Sequence, residues 1–410
     1  MCKITYLAIV LLYIGSGTNG CFYDTFNGLR NTNTLRFSSA LLPHLSERFV
    51  TNEAVEYVIL QNNGIKSIAD GAFSGLPRMK VLDLSNNNLL PKDFFAFGHH
   101  KNVEAIIFDD NFHENASSTD LEIKISHNYP KLKFLSLRNV GLKTISPELS
   151  IQFFGLSHLD LSRNNLNHKD VFTYLPKTVQ SLCIENTGFS SINTTSAYSL
   201  PNIHNISLSH NNIGNVVLLS ANGTCYSSVN QTVCLRLPNN IRTLHLSSCN
   251  VNRITLEEGL CLEELDLSSN TIPHLGEELV KLSLLRRLNI GSNPLLGICE
   301  NCYSWLATLE TLILDNINLA WIRDFLDNIS SSSCKYLSMS VLILSYQSDS
   351  KIRFINVSSN VIEDMKDIQI YPSSHLTLLD VRGNPLTSLS RSSLNGVDEN
   401  TKILFSSTCN

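Results

Sequence analysis

The chain repeats itself. VEYVILQNNGI from Val55, MKVLDLSNNNL from Met79 and VEAIIFDDNFH from Val103 start 24 residues apart. The same pattern returns at Leu132, Leu156, Val179, Ile203, Ile241, Leu262, Leu285, Leu309, Ile352 and Leu376, making about thirteen units. Each unit reads apolar-x-x-apolar-x-apolar-x-x-Asn-x-apolar. A unit this short cannot bury its apolar face alone, so successive units must stack along one axis and share a continuous core. The middle of each unit alternates with period two, which predicts a short strand with one buried face. Strands of successive units then pair in parallel, about 4.8 Å apart.

The ninth position is asparagine in most units: Asn87, Asn111, Asn164, Asn211, Asn270, Asn293, Asn360 and Asn384. There the chain turns inward, and a buried amide can bond the backbone groups that the turn orphans. Val140, Thr187, Cys249 and Ile317 stand in its place and predict weaker or irregular rungs. Two spacings break the rhythm: 38 residues separate the Asn211 and Cys249 repeats, and 43 separate those of Ile317 and Asn360. The first insertion, about 216–238, carries Cys225, Cys234, Asn222 and Asn230 and reads as a disulfide-closed, glycosylated loop. The second, about 325–350, carries Cys334 and the apolar run Val341–Leu344, and this insertion is expected to hide a degenerate fourteenth repeat.

This pattern is the leucine-rich-repeat signature. With the LDLS forms at Leu82, Leu159 and Leu265 and the Leu-Pro leads at Leu175 and Leu237, the chain resembles extracellular leucine-rich-repeat proteins. It looks most like insect secreted leucine-rich immune proteins and Toll-type receptor ectodomains. The resemblance implies an α/β solenoid, a horseshoe with a parallel concave sheet and an irregular or short-helical convex side. It also implies binding of proteins, glycans or lipids, often in innate immunity, development or adhesion. The cysteine-rich caps common in that family are not matched: residues 21–54, read as an N-terminal cap, hold only Cys21, and residues 387–410, read as a C-terminal cap, hold only Cys409. The repeats fill 55–386 between them.

Residues 1–20 read as a secretory signal peptide, with Lys3, the apolar run Tyr6–Ile14 and the small-residue stretch Gly15–Gly20 in the expected order. No later stretch reaches the eighteen or so apolar residues of a membrane helix, so no membrane insertion is expected. Secretion suits the cysteines, which are even in number once Cys2 leaves with the leader. It also suits the N-x-Ser/Thr sequons at Asn115, Asn193, Asn205, Asn222, Asn230, Asn328 and Asn356. The net charge of −5 and the lack of a basic stripe argue against nucleic acid as partner. No phosphate-binding loop, nucleophile elbow, metalloprotease helix or dinucleotide fingerprint appears, so neither enzyme activity, cofactor nor metal is expected.

Cys225 and Cys234 are expected to pair locally. Cys299 and Cys302 bridge either each other or Cys334, and Cys334 and Cys409 could close the C-terminal end. Cys249 is either a buried thiol or a partner of Cys261. Cys183 falls on an outward strand position, about 24 Å from the first repeat at 4.8 Å per strand, too far for Cys21 in the cap unless the cap reaches inward. One or both of Cys21 and Cys183 are therefore candidates for a free thiol or a disulfide-linked dimer.

Outward positions are where a partner would bind. In the first four repeats they hold Tyr57, Ile59, Val81, Ile107 and Phe134, apolar residues that the repeat does not need buried, with Asp83 among them. They predict an exposed apolar patch rimmed by Asp109, Asp110 and Arg138. Further along, His158, Asp160, His245, Glu264 and Asp266 read as solvated polar residues, and glycans on Asn205 and Asn356 would stand on the same face. The expectation is a secreted, non-enzymatic binder of an extracellular protein. The resemblance points to innate immunity, with adhesion or developmental ligand binding, or an inhibitor or decoy role, as the alternatives.

Overall fold

A computed structural model describes residues 33–114, 116–117, 119, 121–166, 172, 174–189, 200–220, 223, 232–275, 277–295, 297–298, 309–314, 336–339, 353–356, 358, 375–386 and 397–405. The leader, Cys21, Cys225, Cys299, Cys302, Cys334, Cys409, Asn115, Asn193, Asn222, Asn230, Asn328, Ile317 and Asn360 lie outside the described residues. The described residues up to Phe189, together with 200–207, form one compact unit, and those from Leu208 onwards form another.

The first unit contains β1 (Thr34–Arg36), β2 (His44–Leu45), β3 (Tyr57–Ile59), β4 (Ser67–Ile68), β5 (Val81–Asp83), β6 (Ala105–Ile107), β7 (Phe134–Ser136), β8 (His158–Asp160), β9 (Ser181–Cys183) and β10 (Asn205–Ser207). All but β2 and β4, which pair with each other, form one parallel ladder in chain order. The register follows the repeat: Tyr57 pairs with Val81, Val81 with Ala105, Ala105 with Phe134, and Phe134 with His158. Inward side chains such as Val58, Leu82, Ile106, Leu135 and Leu159 are fully buried. Behind them the return segments add Phe73, Phe94, Phe95, Phe97, Tyr129 and Phe153, with Phe94 stacked on Phe108 at 4.2 Å. These rings fill the width between strand and return that aliphatic side chains alone would leave as cavities.

The second unit contains β11 (Asn215–Leu219), β12 (Thr232–Arg236), β13 (Thr243–His245), β14 (Ile254–Leu256), β15 (Glu264–Asp266), β16 (His274–Leu275), β17 (Arg287–Asn289), β18 (Gly297–Ile298), β19 (Thr311–Leu314), β20 (Tyr336–Met339), β21 (Phe354–Asn356), β22 (Leu378–Asp380) and β23 (Lys402–Leu404). Its ladder runs β13-β15-β17-β19-β20-β21-β22-β23, again parallel, and β16 pairs with β18. Both units are leucine-rich-repeat solenoids with little helix; the α-helix Glu148–Gln152 spans only five residues.

One expectation changes and another is met. The first insertion is more than a loop, because its described residues build a second parallel sheet in the order β12-β11-β14. The segments NVVLL and TVCLR are rich in β-branched residues and long enough to extend the pairing that a return strand starts. The extra repeat expected in the second insertion is present, with its strand at Tyr336–Met339. Its Leu337 and Met339 stand in register with Leu312 and Leu314 of β19.

The rungs follow hydrogen-bonding capacity. Asn164 Oδ1 accepts from the backbone N–H of Val140 and Leu142, 3.1 and 3.0 Å away, one repeat earlier. Its Nδ2 donates to the carbonyls of Leu137, Leu161 and Ser162. Asn87 and Asn270 repeat the arrangement. Cys249 keeps only the donor half: its thiol faces the carbonyls of Leu208 and Ser247, at 3.2 and 3.4 Å. The acceptor half passes to the backbone, where the N–H groups of Ile213 and Gly214 donate to the Cys249 carbonyl. The residue before each rung turns through a left-handed conformation, as at Asn62, Asn86, Asp110 and Asn139, and Asn and Asp tolerate this best after glycine.

Asn164→Ala would leave two buried N–H groups without an acceptor. It should destabilise the first unit by about 2–5 kcal/mol, while Asn86→Ala, on the exposed side of the turn, should cost well under half as much. Urea unfolding of the two variants checks this; equal losses would show that the rung amide is not the dominant support.

Candidate binding surface

The strands place every third- and fifth-position side chain outward, in rows that run across the ladder. In the first unit these rows are closed. Tyr57 is 4% exposed, Ile59 2%, Val81 8% and Ile107 8%, and Asp83, Asp109 and Arg138 are also buried. Phe134 is half-buried. The open apolar patch expected from the sequence is therefore absent. Outward neighbours stand one strand spacing apart, so each side chain is flanked on both sides, and hydrogen bonds draw the polar ones inward. Gln61 donates to Asp83, as do the backbone N–H and hydroxyl of Ser85. The Ser136 hydroxyl and the Arg138 N–H both donate to Asp109 Oδ1.

The same row continues through residues read as solvated. His158 and Asp160 are buried. His158 Nδ1 lies 2.8 Å from the Ser157 hydroxyl, and its ring centroid 6.5 Å from that of Phe134. Burial holds its imidazole below the ordinary histidine range, toward the neutral form. Glu185, which the sequence reading passed over, accepts from the Ser207 hydroxyl and sits with Asp160 in the row. Its signal in the sequence is its place at the seventh position, the one shared by Asp109 and Arg138.

Burial dominates the electrostatics of this row. It pushes Asp109 up to about 7, helped by the negative charge of Asp160 and only partly offset by Ser136 and the Arg138 N–H. Asp160 is likewise raised by burial against the hydrogen bonds of Ser162 and the charge of Arg138. Asp83 is raised for the same reason.

Cys183, offered by the sequence as a thiol for a second chain, is 2% exposed and already disulfide-bonded, so it has no thiol for an intermolecular bridge. Cys234 is disulfide-bonded as well. Cys249 and Cys261 form no disulfide, so of the two readings of Cys249 the buried thiol holds.

The second unit presents its row differently. His245, Glu264, Asp266, Arg287 and Asn289 are half-buried rather than closed off. Glu264 lies 3.5 Å from His245 Nε2 and 3.7 Å from Arg287 Nε. Burial would raise its carboxyl, but the His245 hydrogen bond and the Arg287 charge outweigh that and hold it below its ordinary value. Just before the strands, opposite charges alternate from repeat to repeat: Arg242 meets Glu263 at 3.2 Å, and Arg286 meets Glu310 at 3.1 Å. Lys80 and Glu56 do the same in the first unit at 2.9 Å. The sequence carried this signal as alternating charge at the second repeat position. Among the described residues no cluster of three or more His, Cys, Asp or Glu could hold a metal ion, and no helix is long and apolar enough to cross a membrane.

The raised Asp109 has a stability consequence with a definite sign. A carboxyl that titrates near 7 when folded and near 3.8 when unfolded binds more protons in the folded state between those values. Its contribution is fully present below about pH 4 and is lost as the pH rises through about 7. Asp109→Asn, which mimics the protonated form, should therefore unfold at a higher temperature than the parent at pH 8 and at nearly the same temperature at pH 4. Calorimetry at the two values checks this; equal shifts at both would refute the raised carboxyl.

A family model described as leucine rich repeat matches residues 53–111. The transforming growth factor beta activator LRRC33 of Danio rerio is 23% identical over 299 residues, covering 67% of this chain and 41% of that protein. Toll-like receptor 3 of Bos taurus is 28% identical over 278 residues, covering 63% of this chain and 29% of that protein. The chain thus spans less than half the length of either relative. Among solved structures, the TLR13–ssRNA13 complex matches with a TM-score of 0.57 and 17% identity, over 88% of this chain and 57% of that one. That likeness shows a shared fold. The family is typically non-enzymatic. The repeat, the ladder and the rungs agree with these matches: the chain is a leucine-rich-repeat protein resembling Toll-like receptor ectodomains.

Proposed function

We propose that this chain is a secreted, non-enzymatic protein that recognises another extracellular protein, in innate immune recognition, through the outward row of its second unit. The observation that carries this reading is the set of half-buried polar and charged side chains on adjacent strands: His245 on β13, Glu264 and Asp266 on β15, and Arg287 on β17. Such a row is rigid, because each side chain is fixed by a paired strand, and it offers donors, acceptors and both signs of charge at a regular spacing. Charged groups held this way give specificity and steer association. The first unit supports it less, since its apolar and acidic groups are buried.

Secretion is supported by the leader-like residues 1–20 and by the disulfides at Cys183 and Cys234, which persist in oxidising compartments. The immune assignment is carried over from the likeness to Toll-like receptors. Recognition of a protein is consistent with the relative named as an activator of a protein growth factor. The acidic balance of this chain speaks against a nucleic-acid ligand.

The test is capture from the native extracellular fluid on immobilised chain. Arg287→Glu and Glu264→Lys should each lower recovery of the specific partner by about tenfold or more and leave the thermal midpoint nearly unchanged, because these side chains are about a third exposed. Undiminished capture by both variants would remove the second-unit row from recognition. Capture of nucleic acid alone would overturn the protein-binding reading.

A further inference from the structure

We propose that Asn205 and Asn356 each carry an N-linked glycan standing on the outward face of a strand. This rests on the reading that the chain is secreted. The two sequons, Asn205-Ile206-Ser207 and Asn356-Val357-Ser358, are the ones whose asparagines fall on described strands. In both, the strand alternation turns the asparagine outward and its neighbour inward: Ile206 is 2% exposed beside half-buried Asn205, and Ile355 is 2% exposed beside half-buried Asn356.

The amide nitrogens are free for the chemistry. Asn205 makes no side-chain hydrogen bond among the described residues. Asn356 uses only Oδ1, which accepts from the Ser358 N–H at 2.9 Å. The rung asparagines are the opposite case. Asn87, Asn164, Asn270 and Asn293 are at most 5% exposed, and each donates through Nδ2 to two or more carbonyls. None of them has Ser or Thr two residues on. The chain thus keeps the sequon off the asparagines whose nitrogen the fold needs and places it on two whose nitrogen is idle.

The neighbours leave room. Asn205 pairs in register with Ser181, one of the smallest side chains. Asn356 pairs with Asp380, whose carboxylate is turned onto its own strand end by Arg382, at 2.7 and 2.9 Å, instead of reaching across.

In the transfer, Nδ2 forms a bond to the anomeric carbon of a lipid-diphosphate-linked oligosaccharide. The bond from that carbon to the diphosphate oxygen breaks, the lipid diphosphate leaves with the electron pair, and one Nδ2 proton goes to solvent. No oxidant or reductant is involved.

The experiment is secretion of the full chain from a eukaryotic host, enzymatic release of N-glycans in 18O water, and peptide mapping. Asn205 and Asn356 should both appear as 18O-labelled Asp, and Asn205→Gln and Asn356→Gln should each remove one step in electrophoretic mobility. An unlabelled Asn205 or Asn356 in material labelled at other sequons overturns the proposal while leaving secretion intact. Material with no labelled sequon and no passage into the medium overturns the proposal and the secretion reading together.

Discussion

Most of the described turns of this molecule depend on a buried side-chain amide. The ladder strands are mostly three residues long, too short for strand pairing alone to satisfy the backbone around them. Where the chain leaves a strand and turns inward, it exposes N–H and C=O groups to an apolar interior, and each such group costs about 1–3 kcal/mol if unpaired. Asparagine is the smallest side chain that carries a two-proton donor and a separate carbonyl acceptor at its tip. Asn164 shows how completely it is used, with two backbone N–H groups and three carbonyls around one amide. Cys249 shows what happens without it: the thiol supplies donors, the backbone bends to supply the acceptor, and a second sheet departs from the ladder nearby. The amide therefore fixes where the chain turns, and the turn fixes which strand residues point outward.

This division of labour explains what could be read from the sequence. Inward positions and rungs answer to one requirement repeated in every unit, so Leu82, Leu159 and Asn164 declare themselves by spacing alone. The repeat in the second insertion was expected, but its place at Tyr336–Met339 was not legible, because Met339 stands in register with Leu314 without matching the aliphatic pattern. The side sheet escaped because its pairing is not periodic: Asn215–Leu219 meets Thr232–Arg236 once, across an insertion that no other unit shares. The outward row escaped for another reason. Its direction follows from the repeat, but its burial does not. Tyr57 and Ile59 are on the face where spacing put them and are nonetheless 4% and 2% exposed.

The two units answer differently the question of what to do with charge on a ladder. In the first, Asp83, Asp109 and Asp160 are buried, satisfied mainly by Ser and backbone donors, with Arg138 as the cation that lowers Asp160. Neutral donors offset only part of the lost hydration of a carboxylate, so these groups hold their protons more tightly. In the second, Glu264 is shared between His245 and Arg287, and the balance reverses. A carboxyl that accepts a histidine hydrogen bond beside an arginine stays ionised at little cost even when partly buried.

That contrast bears on where recognition can occur. A group contributes to a charged interface only if it is ionised at the working pH and can exchange water for a partner. Asp109, raised to about 7, meets neither condition well, and removing its remaining contacts would leave an unpaired buried charge. Glu264 and Arg287 meet both, and each already has a partner in the free protein. Their mutual attraction fixes their geometry before binding, so less side-chain freedom is lost when a ligand arrives. It also sets a limit: a ligand must compete with the Glu264–Arg287 contact for the same donors and acceptors, which favours partners that bridge the pair over partners that present a single charge.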